Sequence, residues 1–93
     1  MYKVEEVTNR TFEFEWDGET FSVASAAMLS ADDVLSLADA SAKGNVEQTR
    51  WLVNWFAEQT DGATRKMPIG RFSGLARKWY SEGNLGKSQA SSD

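Results

Sequence analysis

One stretch, TFEFEWDGETFSV from Thr11 to Val23, leaves this chain little choice of local structure. Phe12, Phe14 and Trp16 alternate with Glu13 and Glu15, an Asp17-Gly18 pair follows, and Phe21 and Val23 then flank Ser22. Successive side chains on a strand point to opposite faces, so each arm carries one apolar and one polar face. An Asp-Gly pair between two such arms predicts a hairpin closed by a type I′ turn, in which both central residues need positive φ. A lone hairpin is marginal in water, so its aromatic face must be covered by the rest of the chain. Tyr2, Val4 and Val7 are the candidates for a third strand, with Asn9-Arg10 turning the chain before the hairpin.

After the alternation stops, the period changes to that of helices. Ser30 opens Ser-Ala-Asp-Asp, a capping pattern that puts carboxylates in a first helical turn, where the macrodipole favours them. Val34, Leu35, Leu37, Ala38 and Ala42 form a short, weakly apolar stripe, and Lys43-Gly44 offers a glycine for the left-handed C-terminal position. Asn45 with Gln48 predicts the cap of a second helix, carrying Val46, Trp51, Leu52, Trp55 and Phe56 until Asp61-Gly62 stops it. Pro68 suits the first turn of a third, in which Ile69, Phe72, Ala76 and Trp79 share a face with Leu75 beside it, and Gly83 ends it. Gly70 and Gly74 each cost about 1 kcal/mol relative to alanine inside a helix, so packing must hold this one together.

The expectation is a small α+β domain over residues 1–83, with the hairpin packed on about three short helices, followed by a flexible polar tail over 84–93. Ninety-three residues with 41% hydrophobic and 12% aromatic content support one thin core, built on a few large side chains. Trp51, Trp55, Phe72 and Trp79 are its expected centre.

Composition narrows the chemistry. The chain has no cysteine and no histidine. Disulfides, thiolate metal sites, the commonest general base and the usual partner of a serine nucleophile are therefore all missing. Asp32, Asp33 and Asp39 lack calcium-loop spacing, and two of the three are explained by helix N-terminal placement. Glu13 and Glu15 read as the wet face of the hairpin rather than an acid–base pair. Gly86-Lys87-Ser88 resembles the end of a phosphate-binding loop, but Ser81 stands where its first glycine belongs. No enzyme activity, cofactor or metal is expected. The first residues lack the apolar run of a signal peptide, and no segment approaches the length of a membrane span, so the reading is a cytoplasmic protein.

Charge is unevenly spread. Residues 1–60 hold eleven acids against Lys3, Arg10, Lys43 and Arg50, a net of −7; residues 61–93 hold six bases against Asp61, Glu82 and Asp93, a net of +3. Such asymmetry steers association with a partner or a second copy. With the hairpin edge as the alternative contact surface, the basic, aromatic segment from Arg65 to Tyr80 is the best candidate, and Arg71, Arg77, Lys78 and Tyr80 are its candidate contact residues. It leaves two readings open: a protein-binding face, or a small regulator that binds nucleic acid through the basic third helix. Against the second stands the acidic total, a net charge of −4.

The hairpin FEFEWDGETFSV, the helix MPIGRFSGLARKWYSEG and the tail Leu85-Gly86-Lys87-Ser88 with small polar residues after it together resemble the tail assembly chaperones of long-tailed, siphovirus-type phages of actinobacteria. The resemblance implies a protein that binds the tape-measure protein, keeps it in solution and helps tail-tube subunits assemble round it in the host cytoplasm, and that is absent from the finished virion. It also implies a short form and a −1 frameshifted long form. A leucine codon ending in G followed by GGA and AAA would form a slippery heptamer, so Leu85, Gly86 and Lys87 are the residues such a site would leave in the protein.

Overall fold

Asp17 and Gly18 both adopt positive φ, 53° and 80°, as the two-residue turn demands. On either side lie β1 (Thr11–Trp16) and β2 (Glu19–Ala24), antiparallel, with Phe12 opposite Val23, Phe14 opposite Phe21 and Trp16 opposite Glu19. This register puts Phe12, Phe14, Phe21 and Val23 on one face and leaves Glu13, Glu15, Thr20 and Ser22 on the other. The computed structural model describes residues 1–83. Beyond β2 come a 3-10 turn (Ala26–Met28), α1 (Ala31–Lys43), α2 (Asn45–Thr60), a second 3-10 turn (Ala63–Lys66) and α3 (Ile69–Gly83). The fold is a small α+β domain, with a two-stranded hairpin followed by three helices. The expected tail over 84–93, with Leu85, Gly86 and Lys87, lies outside the described residues.

The expected third strand does not form. Tyr2 and Val4 are 82% and 85% exposed, and among the described residues the sheet has only β1 and β2. Period two explains it, because Tyr2 and Val4 share a face while Val7, three residues on, falls on the other. No single face of this segment could bury all three.

Phe56, on α2, is the centre of the core at 0% exposure. Its ring meets Phe14 at 6.4 Å, Phe72 at 5.5 Å, Trp55 at 5.1 Å and Trp79 at 5.1 Å between centroids, each edge-on. One side chain thereby joins hairpin, α2 and α3. Trp79, also fully buried, donates its indole Nε1–H to the carbonyl of Ala24 at 2.9 Å. The Ala24 N–H donates to Gln59 Oε1 at 3.1 Å, so both backbone groups of this β2 residue are satisfied by helix side chains. At the base of the hairpin, Ser25 donates its hydroxyl to the Asn9 carbonyl and its N–H to the Arg10 carbonyl. Asn9 in turn donates through Nδ2 to the carbonyl of Glu82 at 3.0 Å, fastening the chain before β1 to the end of α3.

Two of the four expected core residues are placed differently. Trp55 is only half-buried, although its ring lies 4.8 Å from that of Trp79. Trp51 faces α1 instead of the core, and its Nε1–H donates to Ser36 Oγ at 2.9 Å. Residues 51 and 55 are a turn apart, and 56 is the position whose direction meets the hairpin and α3 together. Ile69 is likewise exposed, at 61%, so only Phe72, Ala76 and Trp79 of the expected α3 face are buried.

Helix ends follow the expected signals in part. Ser30 Oγ accepts from the Asp33 N–H at 3.0 Å, and the Ser30 N–H donates to Asp33 Oδ2 at 3.4 Å, closing a capping box on α1. Asn45 does not cap α2. Gly44 does so through its backbone, ending α1 by donating to the Ser41 carbonyl and starting α2 by accepting from Gln48 N–H. A corner of one residue needs φ of 124°, which only glycine takes without strain. Ser30→Ala should destabilise the domain by about 1 kcal/mol in urea unfolding. No measurable loss would mean that packing on α2 alone holds α1.

Candidate partner-binding groove

α1 has no fully buried residue. It packs along α2, and its stripe is left unfilled on the side toward α3, where Val34 stays 50% exposed. Between α1 and α3 lies an open groove of about 790 Å³. Val34, Leu37, Ala38 and Ser41 form one wall; Ser73, Ala76, Arg77 and Tyr80 form the other. Leu52 of α2, with Phe72 and Trp79 beneath it, makes the floor, and the turn at Ala26–Ala27 closes one end beside Gly83.

Why the sequence builds this hollow is a matter of residue size. About half of the lining positions are small or short: Ala26, Ala27, Ala38, Ser41, Thr49, Ser73, Ala76 and Gly83. Helices lined with such side chains close up only if they approach directly, and the α1–α2 corner at Gly44 instead sets α1 against α2. The apolar stripe of α1 is therefore paired on one edge and open on the other.

Of the four candidate contact residues, Arg77 and Tyr80 line this groove, and Tyr80 is 53% exposed. Arg71 and Lys78 do not. Seven residues apart, they share another side of α3, and Lys78 Nζ lies 3.1 Å from Glu82 Oε2. The basic third helix is thus split between two sides rather than gathered in one patch. Among the described residues Arg77 is the one charged residue lining the groove, and none of their carboxylates lies within ion-pair distance of it.

The sequence reading missed the α1 wall. Val34, Leu37 and Ala38 read, with Leu35 and Ala42, as a short apolar stripe of unstated direction, and the one signal that it would stay open was its weakness, with alanines where a buried helix would carry larger residues. A second, smaller hollow of about 420 Å³ lies under the hairpin turn, where Trp16 and Phe21 stand near Ala63 and Lys66. Among the described residues, no three of Asp, Glu, His or Cys gather as a metal-ligand set, and no helix is long and apolar enough to cross a membrane. No protein-family model, curated protein or solved structure matches this chain.

Proposed function

We propose that this protein is a non-enzymatic phage tail assembly chaperone that binds the tape-measure protein while the tail tube assembles round it. The observation that carries the reading is the groove between α1 and α3: an amphipathic helix whose apolar edge the fold leaves open, facing a wall that carries Tyr80 and Arg77. A protein that holds a long helical partner needs such a surface, and it gains nothing from catalytic groups. The hairpin, the Met-Pro-Ile-Gly helix start and the tail sequence at Leu85-Gly86-Lys87 support the same reading by resemblance. The split of Arg71 and Lys78 from Arg77 weighs against a nucleic-acid regulator, since phosphate backbones are held by gathered positive charge.

The test is to express the native gene with its downstream DNA and search by mass spectrometry for a second product that shares residues 1 to about 85 and then diverges. A minority product of that kind, together with recovery of the tape-measure protein in a soluble complex on co-expression, is the expected result. A single product and an insoluble tape-measure protein would overturn the reading. Salt-sensitive binding to DNA or RNA would replace it with the regulatory one.

A further inference from the structure

We infer that the groove between α1 and α3 receives a single amphipathic α-helix of a partner protein, and that this helix sets an Asp or Glu beside its apolar stripe against Arg77. The inference deepens the chaperone reading and rests on it for the partner's origin, though the chemistry of the site stands on its own geometry.

Both walls are helices and the floor is side chains, so no strand edge is available in the groove to pair with an extended peptide. At 1.5 Å per residue, Val34 to Ser41 runs about 10 Å and Phe72 to Gly83 about 16 Å, enough to flank two to three turns of an occupant. Such a helix would lie on α2 between α1 and α3 and complete a four-helix arrangement. Small residues on the walls let its backbone approach, while Val34, Leu37 and Tyr80 meet side chains spaced three or four apart along it.

Charge selects among apolar helices. Among the described residues, Arg77 stands on the α3 rim without an ion-pair partner and no acidic residue lines the groove. A carboxylate flanking the occupant's stripe would meet the guanidinium at the edge of the buried contact; a lysine there would be repelled. The chain's own residues 84–93, NLGKSQASSD, include only Leu85 as a large apolar side chain and are a poor match for the groove.

The experiment is a titration of the isotope-labelled full chain, followed by amide and indole NMR shifts. The probes are two synthetic leucine-alanine amphipathic peptides of about eighteen residues, roughly 27 Å as helix, which differ only in carrying Glu or Lys beside the stripe. The expected result is a set of shifts confined to α1, α3, the Gln48–Leu52 stretch of α2 and the Trp79 indole, with the Glu peptide binding about fivefold or more tightly than the Lys peptide. Arg77→Glu should reverse that preference, Val34→Asp should weaken both peptides about tenfold, and Arg71→Glu, on the other side of α3, should change neither. Equal binding of the two peptides, shifts centred on the hairpin, or no shifts at millimolar peptide would overturn the inference. A concentration-dependent dimer that perturbs the same amides without peptide would also overturn it, in favour of a second copy. The titration is independent of any phage protein. If the frameshift product or the tape-measure complex is absent while the Glu preference holds, the chaperone reading alone fails; if the complex forms but is indifferent to Val34→Asp and Arg77→Glu, the groove inference alone fails.

Discussion

Trp79→Ala should destabilise the domain by about 3–5 kcal/mol, and the loss should be read from urea unfolding followed by far-UV circular dichroism. Truncation removes the largest fully buried side chain and opens a void against Phe56 and Trp55, whose rings lie 5.1 and 4.8 Å away. It also takes the indole N–H from the Ala24 carbonyl. Domains of this size are stable by about 5–15 kcal/mol, so such a loss takes a large fraction of the total. Each kcal/mol lowers Tm by about 4–8 °C in a domain of 60–100 residues. Trp79→Phe separates the two contributions: it keeps an aromatic body and loses the donor, and should cost about 1–3 kcal/mol. Trp51→Ala provides the contrast, because that side chain lies half-exposed against α1, and it should cost less than about 2 kcal/mol. Equal losses for Trp51→Ala and Trp79→Ala would contradict the placement of the core.

Gly83→Ala should cost about 1–3 kcal/mol, although it replaces glycine by the best helix former at a helical position. A Cβ built on Gly83 would stand 2.6 Å from the Ala26 backbone nitrogen and 2.7 Å from the Ala26 Cβ, closer than real atoms approach. The last turn of α3 or the 3-10 turn after β2 must then move. Asn9 and Ser25 tie those same parts together, so the movement would spread to the base of the hairpin. Gly74→Ala should do the opposite. That residue is exposed in the middle of α3 with nothing within 4 Å of its missing Cβ, and alanine should stabilise the helix by about 0.5–1 kcal/mol. The pair of variants, compared in one unfolding series, distinguishes a glycine kept for close approach from one that packing merely tolerates. A gain at Gly83 would show that α3 does not meet Ala26 as described.

Half of the candidate site was legible. Arg77 and Tyr80 belong to the basic, aromatic stretch that stands out in the sequence, and both line the groove. Arg71 and Lys78 stand out equally and do not, since residues close in sequence face different ways on a helix. Val34, Leu37 and Ala38 were legible as an apolar stripe but not as an open one, because a stripe that will be buried and one that awaits a partner are written with the same residue types.

The sequence by itself determined the hairpin, its turn at Asp17-Gly18, the capping box at Ser30 and the extent of three helices, because each rests on contacts or dihedral preferences within a few residues. Only the tertiary structure decided which aromatic sits at the centre, where α1 lies, and why Gly83 must be glycine. Phe56 takes the central place over Trp51 because three elements converge on its direction, Gly44 turns α1 against α2 and away from α3, and Gly83 meets Ala26 from fifty-seven positions further along the chain. Those outcomes depend on how helices far apart in the chain approach one another, and local preference carries no record of that distance.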